Sequence, residues 1–366
     1  MKIIHCADLH LDSRMLTNLT ADQARERRAE LLDTFVRMVG YAADHDVCAV
    51  LIAGDLFDSR HISAQARNTV LGTIKAHPEI MFFYLPGNHE EDALLSAVSD
   101  LPANMRTFGR EWQIYRGEGV TVSGAVITDG NADELCRTLS LNPSFFNIVM
   151  MHGQISGSGS AGDRDLIALS ALSGRSVDYL ALGHIHSFRE GELPPKGVWC
   201  YPGCLEGRGF DECGDHGFVL LDIDTEKKCC VRTFVPFARR RLFAPEIDVT
   251  GCGTTVEMTE RVRRALSRPG GPAPDDMVKI VLTGQVSFDC EKHPGQIAAH
   301  FAPDYYAVSV EDNTRLAVDY RDFRYDATLK GEFVRTVEED AELTEEEKSE
   351  IIRCGILALS GEETEI

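Results

Sequence analysis

Five short motifs place histidine, aspartate or asparagine directly after an apolar segment of the chain. In two of them the polar residues alternate with one other residue, as in Asp8 with His10 and His184 with His186. Alternate residues of an extended backbone point to the same side, so we expect each pair to act together. The expected metal ligands are Asp8, His10, Asp55, Asn88, His152, His184 and His186. Imidazole with carboxylate or amide oxygen and no thiolate suits Mn²⁺, Fe²⁺ or Zn²⁺.

The number of these donors predicts two metal ions rather than one. Seven ligands exceed what a single zinc ion binds, and a pair of metal ions suits attack on phosphorus. A separate zinc site formed by Cys200, Cys204, Cys213 and His216 is a disfavoured alternative, because its spacing fits no common pattern. The 11 cysteines are scattered without a CxxC motif, which favours reduced thiols.

The elements before these motifs predict an α/β fold. Val47–Ile52 is a continuous apolar run, which is typical of a strand buried on both faces. A helix is expected from a cap near Thr20 to about Asp44, and another over residues 63–76. Further strands are expected at Lys2–Cys6, Ile80–Leu85, Phe146–Met151 and Asp178–Leu182, and antiparallel strands at Gly197–Tyr201, Gly217–Ile223 and Cys229–Val235. Ligands bind at the carboxyl edge of such sheets, where the motifs lie.

The composition limits the functions to consider. The net charge of −21 argues against a nucleic-acid binder that works through bulk basicity. Residues 338–366 carry 11 acidic and 2 basic residues, a net charge of −9, so the rest of the chain is only mildly acidic. No apolar run is long enough for a membrane span, and Asp8 interrupts the segment where a signal peptide would be apolar, so we expect a cytoplasmic protein.

The motifs together resemble those of the calcineurin-like metallophosphoesterases. They are Asp8-x-His10, Gly54-Asp55-x-x-Asp58, Gly87-Asn88-His89-Glu90, His152-Gly153 and Gly183-His184-x-His186. The similarity covers about residues 1–237. Residues 4–13, 177–186 and 201–206 are most similar to the DNA-repair exonuclease branch of that family, the SbcD- and YhaO-type nuclease subunits.

The resemblance implies an architecture. We expect a four-layer αββα sandwich over residues 1–240, a small α+β capping domain over 241–325 and an acidic helical tail over 326–366. The apolar spacing of Leu343 to Leu359 would suit docking on a coiled-coil ATPase, or packing of this helix on its own domain.

The resemblance also implies roles for individual residues. Asp8, His10, Asp55 and His186 would hold one metal ion, and Asp55, Asn88, His152 and His184 would hold the other, with Asp55 bridging. His89 would face the phosphate as a catalytic residue. Asp58 would orient a ligand, although a carboxylate that caps the next segment is an equal alternative.

The expected function is a Mn²⁺-dependent DNA exonuclease or endonuclease of the SbcD type, in which a metal-bridging hydroxide attacks the phosphodiester. It would act in DNA repair with an SbcC-like ATPase, and the resemblance implies a homodimer. Two alternatives stay open: a phosphodiesterase or phosphatase acting on nucleotides or small phosphoesters, and a regulatory subunit of the ATPase.

Overall fold

The fold is given by a computed structural model of the chain. It describes residues 1–15, 19–58, 62–87, 93–98, 100–128, 130–156, 166–287, 290–317, 325–341 and 343–360. The chain divides into two compact units, Met1–Phe243 and Ala244–Ile366. The three-domain division expected from the sequence stays a prediction.

The first unit contains a six-stranded sheet built mainly from the amino-terminal part of the chain. Its strands are β1 (Lys2–Cys6), β2 (Val47–Ala53), β3 (Met81–Leu85), β4 (Met105–Thr107), β11 (Gly217–Asp224) and β12 (Cys229–Pro236), in the order β12-β11-β1-β2-β3-β4. Strands β1 to β4 are parallel, and β11 is antiparallel to both β1 and β12.

A second six-stranded sheet completes the sandwich of the first unit. Its strands are β5 (Gln113–Arg116), β6 (Val120–Gly124), β7 (Phe146–His152), β8 (Tyr179–Gly183), β9 (Arg189–Leu193) and β10 (Gly197–Tyr201), in the order β5-β6-β7-β8-β10-β9. The prediction that Gly197–Tyr201 is an antiparallel strand was wrong for one of its two neighbours. It pairs antiparallel with β9 but parallel with β8, because a crossover rather than a hairpin joins it to β8.

Helices cover the outer faces of both sheets, which confirms the four-layer αββα sandwich. They are α1 (Ala21–Asp44), α2 (Ala64–Ala76), α3 (Ala93–Ala97), α4 (Ala132–Thr138) and α5 (Leu169–Leu172). Helices α1 and α2 pack on the first sheet, and α4 and α5 pack on the second. Helix α1 begins where predicted, because the Thr20 hydroxyl accepts a hydrogen bond from the Gln23 backbone amide, and the Gln23 side-chain oxygen accepts one from the Thr20 backbone amide.

Strand β1 shows how one short sequence serves two apolar layers. Ile4 and Cys6 face the helices, whereas Ile3 lies in the core between the two sheets. His5 also faces that core, where its Nδ1 lies 2.9 Å from the Tyr179 hydroxyl. Since both faces of the strand are covered, β1 is buried almost throughout, and the same holds for β2.

The second unit has a small parallel sheet of its own. Strands β14 (Glu246–Asp248) and β17 (Ala307–Asp312) flank β15 (Met277–Thr283) in parallel. Strand β13 (Leu242–Phe243) ends the first unit. The other elements of the second unit are α6 (Thr255–Leu266), β16 (Gln285–Val286), α7 (Pro294–Phe301), β18 (Arg315–Leu316), α8 (Leu329–Glu338) and α9 (Glu345–Ser360). Among the described residues, no helix has the length and apolarity needed to cross a membrane.

Candidate metal centre

The carboxyl ends of strands from both sheets meet at one edge of the sandwich. Asp8 and His10 follow β1, Asp55 follows β2, and His152 is the last residue of β7. The loops after β1 and β2 run side by side, with backbone bonds from the Asp8 amide to the Gly54 carbonyl (3.2 Å) and from the His10 amide to the Asp55 carbonyl (2.9 Å). The sheet topology therefore brings together residues that are far apart in the sequence.

One group of donors consists of Asp8, His10 and His186, whose ligand atoms lie within 4.8 Å of one another. The Nε2 atoms of His10 and His186 are 3.3 Å apart. Asp8 is wholly buried, and both its oxygens accept hydrogen bonds from the His184 amide, at 3.0 and 2.9 Å.

A second group consists of Asp8, Asp55 and His152. The Oδ2 atom of Asp55 lies 3.5 Å from His152 Nε2 and 3.9 Å from His10 Nε2. Asp55 thus belongs to the second group and also lies near His10 of the first. Asp8 belongs to both groups, whereas the sequence analysis assigned it to one metal ion only.

His184 takes part through its backbone as well as its ring. Its amide holds Asp8, and its ring centroid is 5.6 Å from that of His152. The sequence analysis expected an extended backbone through His184 and His186, and this part of the expectation was wrong at His184. Strand β8 ends at Gly183, and His184 has a φ of 104°, so the chain turns between the two histidines.

Left-handed backbone conformations are concentrated at this edge. The φ angles are 51° at Asp8, 43° at His10 and 45° at Asp55. Residues other than glycine rarely adopt this region, because of steric conflict with Cβ, and it typically marks functional sites. The strained backbone turns these side chains toward the shared space instead of continuing the strands.

Two glycines of the motifs are explained by close packing around His152. A Cβ at Gly54, which has a φ of 98°, would lie 1.8 Å from His152 Nδ1. A Cβ at Gly183 would lie 1.8 Å from the Ala53 carbonyl oxygen and 2.7 Å from His152 Nδ1. Any larger residue at either position would displace the imidazole.

Arg208 and Glu212 lie beside the donors, although the sequence analysis did not single them out. Glu212 Oε1 is 2.6 Å from His186 Nδ1 and accepts a 2.9 Å hydrogen bond from Arg208 Nη2. The bond to Glu212 raises the pKa of His186, against the opposing effect of burial. The only signal in the sequence was two opposite charges four residues apart, directly after the stretch 201–206.

Asp58 lies next to this pair. Its Oδ1 accepts a 2.8 Å hydrogen bond from Arg208 Nη1 and is 3.3 Å from His10 Nδ1. The contact with His10 holds the pKa of Asp58 below its usual range, although burial opposes it. This position is the one expected of a residue that orients His10, so the orienting role stays a prediction supported by geometry.

Some of the predicted positions lie outside the described residues, namely Asn88 and His89. The disfavoured zinc site is represented only in part, since Cys204 Sγ is 3.1 Å from His216 Nδ1, whereas Cys213 is exposed and bonds to the Phe210 carbonyl. Within the described part of the chain, the donor groups of three or more residues are the two given above.

The donor set fits divalent metal ions. His186 Nδ1 donates to Glu212 Oε1 at 2.6 Å, so the Nε2 atom of the neutral ring is an acceptor that faces His10 Nε2, while His10 Nδ1 lies 3.3 Å from Asp58 Oδ1. His152 Nδ1 likewise donates to the Ala53 carbonyl at 2.9 Å, so its Nε2 faces Asp55 as an acceptor. Burial raises the pKa of Asp8, an effect that a bound cation reverses. Facing acceptors around a buried carboxylate are stabilised by cations.

The family described as calcineurin-like phosphoesterase matches residues 1–188. The match covers more than half of the chain and includes the strands and described donors of the centre. The chain therefore belongs to the calcineurin-like phosphoesterase family, whose members use metal ions to hydrolyse phosphoesters.

Similar proteins of known name come from bacteria and archaea. The metallophosphoesterase YhaO of Bacillus subtilis is 26% identical over 235 residues, which are 61% of this chain and 57% of YhaO. The DNA double-strand break repair protein Mre11 of Methanopyrus kandleri is 24% identical over 77% of this chain and 68% of its own length. The protein of the same name from Haloferax volcanii is 36% identical over 72% of this chain and 58% of its own length. The chain thus spans between 57% and 68% of the length of these relatives.

Proposed function

We propose that the chain is a two-metal phosphodiesterase that cleaves DNA as an exonuclease or endonuclease of the SbcD type. The observation that carries the proposal is the pair of donor groups that share Asp8, with the Nε2 atoms of His10 and His186 only 3.3 Å apart. Divalent ions bound there would polarise a phosphoryl oxygen and provide a nucleophilic water at neutral pH.

The protein contributes positioning to this chemistry. The His184 amide fixes the Asp8 carboxylate, and the Ala53 carbonyl fixes the His152 ring. Asp55 lies between the two groups and would bridge the ions. These contacts hold the donors before substrate arrives, so little reorganisation is needed during the reaction.

The roles of four further residues complete the proposal. His184 and Asn88 would add ligands to the group that contains His152. His89 would act on the phosphate of the substrate, and Asp58 would orient His10. The roles of Asn88 and His89 rest on the motif Gly87-Asn88-His89 alone.

DNA is the substrate favoured by the relatives, two of which are named for repair of DNA double-strand breaks. The resemblance of residues 4–13, 177–186 and 201–206 to the nuclease branch supports the same substrate. Hydrolysis of nucleotides or small phosphoesters is the second candidate, because the described donors act on any phosphoester.

The proposal includes Mn²⁺ as the metal, a cytoplasmic location, a homodimer and an SbcC-like ATPase partner.

The acidic helical tail packs partly on itself. Ile352 and Ile356 of α9 are buried against Val334 and Val337 of α8, as expected if this helix packs on its own domain. Ile351 and Leu359 are 39% and 40% exposed, and they would supply the contact with the ATPase. Ile351→Asp should then abolish co-elution with a purified ATPase of this type without lowering hydrolysis by the isolated chain.

The test of the function is hydrolysis of labelled duplex DNA, single-stranded DNA and bis-p-nitrophenyl phosphate with Mn²⁺, Mg²⁺ or Zn²⁺ added to chelator-treated protein. We expect Mn²⁺-dependent cleavage of DNA. Asp55→Asn should reduce it to background, because the amide removes the charge between the two groups. Asp224→Asn changes the last residue of β11, whose carboxylate accepts hydrogen bonds from the Glu226 and Lys227 amides of the following turn, and should retain full activity.

The outcomes separate the candidates. Cleavage of the small ester without cleavage of DNA would reject the nuclease in favour of the second candidate. Unchanged activity in Asp55→Asn would reject the two-metal assignment, and retained activity in His89→Ala would reject the role given to that histidine.

A further inference from the structure

The two histidines of one donor group are connected through a chain of charged side chains. Asp58 Oδ1 is 3.3 Å from His10 Nδ1, and Glu212 Oε1 is 2.6 Å from His186 Nδ1. The guanidinium of Arg208 joins the same two oxygens, with Nη1 at 2.8 Å from Asp58 and Nη2 at 2.9 Å from Glu212. A single arginine therefore fixes the partners of both imidazoles.

The geometry depends on a guanidinium in particular. Arg208 spans two carboxylates with separate nitrogens in one rigid plane, and its backbone amide adds a 2.7 Å bond to Glu212 Oε2. A lysine ammonium is a point charge on a flexible stem, and it cannot reproduce such a fork. Without the fork, the carboxylates of Asp58 and Glu212 lose their common neutralising charge.

The segment that carries Arg208 is itself anchored in the interior. Glu206 is 2% exposed and accepts hydrogen bonds from the Thr34 hydroxyl (2.7 Å) and from Arg27 Nη2 (3.3 Å), both on α1. Arg27 Nη2 also donates to the Gly207 carbonyl at 2.8 Å. Arg208 therefore has a fixed origin directly after an anchored residue, as precise orientation requires.

The other donor group is held differently. His152 Nδ1 donates to the Ala53 backbone carbonyl, and the carboxylate of Asp8 accepts from the His184 backbone amide. These partners belong to the strand ends themselves, so side-chain substitution does not remove them. The two groups should consequently respond differently to the loss of Arg208.

We infer that Arg208 and Glu212 are positioning residues for the group formed by Asp8, His10 and His186. Together with Asp58 they hold both Nε2 atoms toward one point. Metal binding by this group therefore depends on Arg208, whereas binding by Asp8, Asp55 and His152 does not. The inference rests on the proposed two-metal function and assigns residues that the motifs do not contain.

The test is a titration of the chelator-treated chain with Mn²⁺. Binding is measured by calorimetry and, independently, by the electron paramagnetic resonance signal of free Mn²⁺. The wild-type chain should bind two ions. Arg208→Lys and Glu212→Gln should each weaken one binding event by roughly 10–100-fold, the range for partners of metal-binding histidines. The other event should keep its affinity.

A matched control is Arg175→Lys. The guanidinium of Arg175 donates hydrogen bonds to the backbone carbonyls of Ala171 and Leu139, away from the donor groups. The substitution should leave both binding events unchanged. Thermal unfolding of the metal-free variants verifies that they fold. If Arg208→Lys fails to fold, Glu212→Gln and Asp58→Asn test the same contacts.

The inference would be overturned if Arg208→Lys bound Mn²⁺ at both sites with the affinities of the wild-type chain. It would also be overturned if the substitution weakened both sites by the same factor. The titration uses no phosphoester, so failure of the inference differs visibly from failure of the function. A wild-type chain that binds two Mn²⁺ ions with the expected asymmetry but hydrolyses neither DNA nor small esters would reject the function alone.

Discussion

The Nε2 atoms of His10 and His186 lie 3.3 Å apart and face each other. The Nδ1 atom of His186 donates to Glu212 Oε1 at 2.6 Å, so the Nε2 atom of the neutral ring is an acceptor. The Nδ1 atom of His10 lies 3.3 Å from Asp58 Oδ1. A divalent ion placed between the two rings would use both Nε2 atoms as ligands.

Removal of His186 should eliminate the stabilisation that one metal ion provides. A ligand present at about 100 times its dissociation constant stabilises a folded protein by about 2.7 kcal/mol. Adding Mn²⁺ should therefore raise the thermal midpoint of His186→Ala less than that of the wild-type chain. His77→Ala is the control, since the ring of that histidine lies at the end of α2 and pairs with the exposed Glu79 carboxylate. An equal Mn²⁺ response in His186→Ala would contradict the assignment.

Gly183→Ala should disrupt the group that contains His152. Its Cβ would lie 1.8 Å from the Ala53 carbonyl oxygen, so the strand or the imidazole must move, at a cost of about 1–3 kcal/mol. We expect a lower urea midpoint together with weaker Mn²⁺ binding.

Gly40→Ala is also a glycine-to-alanine substitution, but it should stabilise the protein. Gly40 lies within α1, and nothing is within 4 Å of a Cβ added there. The change should raise the free energy of unfolding by about 0.5–1 kcal/mol, because glycine is a poor helix former. Stabilisation by both substitutions, measured by urea unfolding, would show that the packing around His152 is not tight.

Glu30→Gln should destabilise the first unit in a pH-dependent way. Burial raises the pKa of Glu30, but hydrogen bonds from Arg240 and Arg27 outweigh it, so the net pKa is lowered. A carboxylate with a lowered folded pKa contributes stability above its unfolded pKa and loses that contribution as the pH falls through the folded pKa. The loss of unfolding free energy in Glu30→Gln should be about 3–5 kcal/mol at neutral pH, since two buried arginines each lose one charged partner.

The difference in unfolding free energy between the wild-type chain and Glu30→Gln should become smaller when urea unfolding is repeated below about pH 4, where the carboxyl of the unfolded chain is protonated. A difference that stays constant across the acid range would show that Glu30 contributes through its shape and not through its charge.

Tyr201→Phe should release the backbone that follows His152. The Tyr201 hydroxyl donates to the Gly153 carbonyl at 2.8 Å and accepts from the Ile155 amide at 3.0 Å. Its removal takes one hydrogen bond from each of these two backbone groups, and we expect a loss of about 1–3 kcal/mol in the free energy of unfolding, measured with urea. Tyr115→Phe removes one bond, to the Thr107 carbonyl, and should cost less. An equal loss in both variants would contradict this explanation.

The sequence predicted the strand ends because apolar runs and polar donors are both local signals. Val47–Ile52 is continuous and apolar since β2 is covered on both faces, and the Thr20 cap marks the start of α1. Asp8 and Asp55 were therefore placed correctly at one edge before any contact was known.

The contacts of Arg208 could not be predicted in this way. Arg208 and Asp58 are separated by 150 residues, and Arg208 lies in a glycine-containing segment without periodicity. The left-handed turn at His184 was also missed, because alternation of residue types does not reveal where a strand ends.

The backbone bonds between the loops after β1 and β2 have a consequence for how the protein acquires its metal. The Asp8 amide bonds to Gly54, His10 to Asp55 and Leu11 to Leu56, so pairing of the two strands continues into the loops that carry the donors. Because these bonds join backbone atoms, the positions of the loops do not depend on the donor side chains. Different divalent ions can compete for the same oxygen and nitrogen donors, and their supply in the surroundings then determines which ion is bound.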